Sequence, residues 1–128
     1  MSGKLLDTNA VIALQKANPA LMALLENSDD VFVPAIVIGE LYYGAYNSLR
    51  VAENVQVIDD FVNSNKLIDC NAATGKLYGQ IRHTLKTRGQ PIPENDIWIA
   101  AVALQHNHIL VTQDTHFASI SGLQTERW

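Results

Sequence analysis

A chain of 128 residues that is 48% hydrophobic can bury a core of its own, and 17% charged residues are too few for a disordered chain. A formal net charge of −4 excludes a plain electrostatic coat for DNA, although an acidic metal site reverses its local potential once a cation binds. No basic stretch leads into an apolar leader and no apolar run nears the ~20 residues of a membrane helix, so the expectation is a soluble cytoplasmic protein.

Lys4 to Asp7 reads as a strand, because the apolar run through Leu5 and Leu6 is too short for a helix and ends in a carboxylate. Ala10 to Lys16 is predicted helical, with Thr8 or Asn9 as its N-cap. Asn18 and Pro19 start a second short helix, Ala20 to Leu25, and a polar turn over Asn27 to Asp30 follows. Val31 to Val33 form a strand that Pro34 closes. From Ala35 to Asn47 the pattern turns helical, with Ile38, Tyr42, Ala45 and Leu49 on one face and Ile36, Glu40, Tyr43 and Asn47 on another. Gly39 and Gly44 weaken that helix by about 1 kcal/mol each, which predicts close packing around them.

Arg50 to Asn63 is a further amphipathic helix, and Lys66 to Ile68 a third strand. The single cysteine, Cys70, excludes an internal disulfide, suits a reducing compartment and is expected in the core. Asn71 caps a long helix ending near Arg88, with Gly89 at its C′ position. A loop stiffened by Pro91 and Pro93 leads to Asn95 or Asp96, either of which can open the apolar helix Ile97 to Gln105. Ile109 to Val111 make a fourth strand, followed by Thr112, Gln113 and Asp114. After a Ser/Gly loop, Leu123 to Glu126 can add an edge strand. Strands alternating with helices imply a parallel sheet covered on both faces in one domain, residues 1–128.

The carboxylates carry the chemistry. Asp7 and Asp114 each follow a short strand, where ligands of open α/β sheets bind; each can equally form an Asx-turn or a cap. Glu40 lies mid-helix among apolar neighbours, so it needs a metal or a cation such as Arg50 or Arg82. Asp96, near a helix N-terminus, is stabilised there by the helix dipole, but Asn95 can cap in its place and free Asp96 to point elsewhere. Four converging acids repel one another and raise their own pKa values unless a cation intervenes. No Cys cluster exists and the four histidines fall outside any zinc spacing, so oxygen-preferring Mg²⁺ or Mn²⁺ is the expected ion. The chemistry that follows is metal-assisted hydrolysis of a phosphodiester. Neither a nucleophile elbow nor a glycine-rich phosphate loop is present.

Four blocks, Leu5-Leu6-Asp7-Thr8-Asn9, Ile38 to Gly44, Asn95 to Ala101 and Val111 to Phe117, together resemble the PIN domain, and more narrowly the VapC-type toxins of bacterial toxin–antitoxin pairs. The resemblance implies a PIN-like α/β/α sandwich with a central parallel sheet of four to five strands, and a Mg²⁺-dependent endoribonuclease in which Mn²⁺ can substitute. By position, Asp7, Glu40 and Asp96 match the family's three most constant acids and Asp114 the fourth. Thr112 matches a supporting hydroxyl and Asn9 a polar position of structural role. The resemblance also implies RNA as substrate, a VapB-type antitoxin as partner, and a homodimer or toxin–antitoxin hetero-oligomer. Arg82 and Lys86 share a helix face that can track RNA phosphates or simply face solvent. Two other readings stay open: a PIN-type nuclease acting in RNA processing or on DNA without an antitoxin, and a non-catalytic module whose acids are caps and salt bridges.

Overall fold

In the computed structural model, which describes residues 3–28 and 30–128, strands and helices alternate along the chain. They run β1 (Lys4–Leu6), α1 (Thr8–Gln15), α2 (Pro19–Leu25), β2 (Val31–Pro34), α3 (Ala35–Tyr46) and α4 (Val51–Ser64). The second half continues with β3 (Lys66–Ile68), α5 (Ala72–Thr87), α6 (Glu94–His106), β4 (Ile109–Val111), a 3-10 turn (Thr115–Ser119) and β5 (Thr125–Glu126). All four strand pairings are parallel, in the order β3-β2-β1-β4-β5. Helices flank this five-stranded sheet, giving the α/β/α sandwich that the alternation implied.

The strand order places the site. β2 and β3 lie on one side of β1, and β4 and β5 on the other. The crevice between β1 and β4 is therefore the topological switch point, where open parallel sheets bind ligands beyond their carboxyl ends. Leu6 faces Val111 across that pair, so the next residues, Asp7 and Thr112, emerge side by side.

The core forms where apolar strands meet a thin helix. Leu5, Leu6, Leu110 and Val111 are buried, and so are Ile99, Ala100, Ala101, Val102 and Ala103 of α6. Alanine at three of these positions brings the helix backbone close to its neighbours while still excluding water. Phe117, 1% exposed, plugs the core from the 3-10 turn just after Asp114. Truncating it to alanine leaves a cavity, and the expected cost is about 3–5 kcal/mol. Urea unfolding monitored by circular dichroism measures this; a loss under 1 kcal/mol would mean that the turn is not anchored by the ring.

Several local expectations are revised. Asp7 itself caps α1, accepting from the Ala10 N–H, so neither Thr8 nor Asn9 is the cap. Helix α6 begins at Glu94 after Pro93, whose extended backbone supplies no side-chain bond, so Asn95 and Asp96 lie inside the first turn. On α3 the buried residues are Val37, Leu41 and Ala45; of the expected face Ala45 is buried, Ile38 and Tyr42 are half-buried, and Leu49 is fully exposed beyond the helix. A Cβ at Gly39 or Gly44 would meet nothing within 4 Å, so no close packing explains these glycines. Cys70 is exposed rather than in the core. The edge strand is confined to Thr125 and Glu126. The predicted cap of α5 is found, as a reciprocal capping box between Asn71 and Thr74, and Gly89 follows the helix with φ +65°. Among the described residues, no helix is long and apolar enough to cross a membrane.

Candidate metal centre

Asp7, 5% exposed, is built into the sheet edge. Its Oδ1 accepts from Ala10 N at 2.8 Å and its Oδ2 from the Thr112 hydroxyl at 2.5 Å. Each carboxylate oxygen has two acceptor sites, so one remains open on each. Thr112 Oγ1 in turn accepts from Asp114 N at 2.9 Å, which ties the two strand ends together. Asp114 caps the 3-10 turn by accepting from His116 N at 2.9 Å. Asx-turn and site geometry are thus compatible: the same side chains do both.

Glu40 approaches from α3 and Asp96 from the first turn of α6. Asp7, Glu40, Asp96 and Asp114 line one open cleft of about 500 Å³, together with Thr8, Asn9, Pro93, Glu94, Asn95 and Ile99. All four predicted acids meet, though they come from elements scattered over the chain. Arg50 pairs with Glu53 and Arg82 with Glu94, so neither proposed cation reaches Glu40. Among the described residues no lysine or arginine pairs with any of the four.

The electrostatic cost falls on Asp7, Glu40 and Asp96. Burial pushes the Asp7 carboxyl up, against the opposing bonds from Thr112 and Ala10, and the charges on Asp96 and Asp114 push it further. Burial likewise raises Glu40, with Asp96 and Asp7 adding to the effect while the neighbouring Thr8 hydroxyl eases it. Thr8 Oγ1 and Glu40 Oε1 are both buried without a hydrogen bond of good geometry. Asp96 is raised by burial and by Asp114, and eased by His116.

An orphaned buried oxygen, clustered acids and no compensating Lys or Arg fit a divalent cation. Asp96, Asp114 and His116 each offer a ligand atom, all within 4.8 Å of one another. Asp7 and Glu40 line the same cleft and can add further oxygen donors, and Thr112 holds the Asp7 carboxylate in place. Asn9 is exposed at the cleft wall, where it also borders a second groove lined by Lys16, Gln113 and Trp128.

Reading from sequence missed two residues of the site. Glu94 lines the cleft, accepting from Tyr78 Oη at 2.6 Å with Arg82 at 3.6 Å. His116 stands over Asp114 and Asp96; its only sequence signal was its place two residues after Asp114. Arg82 and Lys86 are exposed on α5, lining a hollow with Pro91, Ile92 and Glu94 beside the cleft.

The family model described as PIN domain matches residues 4–123. The chain is 36% identical over 127 residues to Ribonuclease VapC2 of Haemophilus influenzae, covering 97% of this chain and 96% of the relative. It is 35% identical over 127 residues to the tRNA(fMet)-specific endonuclease VapC of Shigella flexneri, with the same coverage. The crystal structure of VapBC2 from Rickettsia felis, bound to a DNA fragment from their promoter, contains a chain of the same fold. It superposes with a TM-score of 0.87 at 31% identity, covering 98% of each chain.

Proposed function

This chain belongs to the PIN-domain family, and from that premise we propose that it is a metal-dependent endoribonuclease toxin of the VapC type, neutralised by a VapB-type antitoxin. The observation that carries the reading is the convergence of Asp7, Glu40, Asp96 and Asp114 on one cleft without a Lys or Arg partner among the described residues. Fixed acids left uncompensated destabilise a fold, and a cation relieves them. Mg²⁺ is the proposed ion, with Mn²⁺ able to take its place. When bound, such an ion lowers the pKa of a water and stabilises charge developing on a phosphoryl group.

The chain's own residues have separable tasks. Asp7, Glu40, Asp96 and Asp114 hold the ion. Thr112 fixes the Asp7 rotamer through its hydroxyl and spaces Asp114 by accepting from its amide. Asn9 forms the cleft wall that leads toward Lys16 and Trp128, a cation and an aromatic face suited to a single-stranded nucleotide. Arg82 and Lys86 offer charge to flanking phosphates, with Arg82 held beside the cleft by Glu94 and Tyr78. So modest a basic surface favours recognition of RNA by shape and unpaired loops.

The antitoxin and homodimer readings rest on the likeness to the VapBC structures and on an unusually apolar edge. Tyr43, Tyr46, Leu49 and Val57 are 72%, 63%, 104% and 51% exposed where α3 meets α4, and an exposed apolar patch of that kind marks an interaction surface.

The test is direct. Purified protein incubated with total RNA or with tRNA should cleave it in Mg²⁺ or Mn²⁺ and stop on chelation, and co-purified VapB-type antitoxin should suppress the activity. Cleavage that persists in excess chelator would overturn the metal-dependent reading.

A further inference from the structure

We infer that His116 is a nitrogen ligand of the metal centre, and that it tilts this site from Mg²⁺ toward transition-metal ions such as Mn²⁺. The inference rests on the metal-centre reading above and adds a donor that the oxygen-only set lacks.

The geometry comes from the turn after β4. Asp114 caps that turn by accepting from His116 N, which folds the imidazole back over the strand end. Its Nδ1 then lies 3.0 Å from Asp114 Oδ1 and 3.4 Å from Asp96 Oδ2. Adjacent ligands of an octahedral ion held at about 2.1 Å stand about 3 Å apart, so these spacings match neighbouring positions around one ion. Among the described residues, the polar contacts of the ring are the Asp96 and Asp114 carboxylates themselves, the first from α6 and the second from its own turn, and no other side chain competes for it there. Half of its side chain is exposed, so the ring needs no core packing to hold it there, and the ring edge stays open to an arriving ion.

A nitrogen donor changes the preference of the site. Carboxylates suit Mg²⁺ and Mn²⁺ alike, whereas imidazole suits first-row transition ions, and affinity at mixed nitrogen and oxygen sites rises along that row. An imidazole added to carboxylates therefore strengthens Mn²⁺ and Co²⁺ binding more than Mg²⁺ binding. Asp96 and Asp114 keep enough oxygen character for Mg²⁺ to bind, but with no gain from the ring.

The experiment titrates the folded protein with Mn²⁺ and with Mg²⁺ by calorimetry, and records the electron spin echo of bound Mn²⁺. Wild type should show a nitrogen-14 coupling on Mn²⁺, and labelling its histidines with nitrogen-15 should shift that coupling without any mutation. His116→Asn should remove the coupling and weaken Mn²⁺ about tenfold, the scale of a change in the ligand sphere, while Mg²⁺ affinity stays within twofold. His116→Asp, which returns an oxygen donor, should also lack the coupling but bind Mg²⁺ at least as tightly as wild type. Circular dichroism of each variant checks its fold. Bound Mn²⁺ without nitrogen coupling, or equal losses of both ions in His116→Asn, would overturn the inference and leave the metal centre standing. Binding of neither ion to wild type would overturn both.

Discussion

Asp7→Asn is expected to lower the rate of RNA cleavage at least ~10³-fold while leaving the fold intact. A metal's stabilisation of transition-state charge is worth several kcal/mol, and about 4 kcal/mol corresponds to roughly three decades of rate. The choice of asparagine matters, because Asp7 also caps α1 through the Ala10 N–H. Asparagine caps a helix about as well as aspartate, whereas alanine loses about 0.5–2 kcal/mol. Asp7→Ala would mix a lost ligand with a loosened helix; Asp7→Asn separates them. Single-turnover cleavage of a defined RNA, alongside thermal unfolding, is the measurement. A variant retaining a tenth of wild-type activity would remove Asp7 from the site.

The second large effect is on stability, and it depends on pH. Near neutral pH, metal at about 100 times its Kd contributes about 2.7 kcal/mol, a rise of roughly 10 °C in Tm for a chain of this size. The gain should fade on acidification, because protonated carboxylates no longer bind the ion. Without metal, the sign reverses. Glu40 has a folded-state pKa raised by burial, so its protonated form is the one the fold favours. Its contribution is fully present below the unfolded pKa and is lost as pH rises through the folded one. Metal-free Glu40→Gln should therefore be more stable than metal-free wild type near neutral pH, with the difference disappearing in acid. Comparing the two proteins at each pH cancels groups that titrate elsewhere, notably His108, whose pKa burial lowers. A metal-induced shift equal at pH 7.5 and pH 4.5 would contradict the assignment, as would a Glu40→Gln protein less stable than wild type throughout.

The parts of this molecule that were readable from sequence are the ones governed by local chemistry. Short apolar runs ending in Asp7 and Thr112 gave the two central strands, and Asn71 with Gly89 bracketed α5 through capping preferences that act within a few residues. Convergence of Asp7 and Asp114 followed once parallel strands were assumed, since every carboxyl end then faces one edge; Glu40 and Asp96 sit on helices, and their match to the family's acidic positions is what joined them to the set. What failed was set by the backbone's approach or by distant contacts. The helix bearing Asp96 starts at Glu94 because Pro93 delivers the chain in an extended conformation, not because a side chain caps it. The exposure of Cys70 depends on what lies over the end of β3, which composition does not encode. His116 entered the site only because a 3-10 turn reverses the chain after Asp114.

The pairing of β1 with β4 sets a timetable as well as a shape. Thr112 and Asp7 meet across 105 positions of chain, and Asp114 is tied to that pair through its amide bond to the Thr112 hydroxyl. A growing polypeptide that ends before these residues can pair β1 with β2 and bring Asp7 toward Glu40, but it lacks the Thr112 hydroxyl and Asp114, and closing so long a loop is rewarded only by the final contacts. Until the segment past β4 has folded back against β1, the proposed centre lacks both Asp114 and the hydroxyl that aims Asp7.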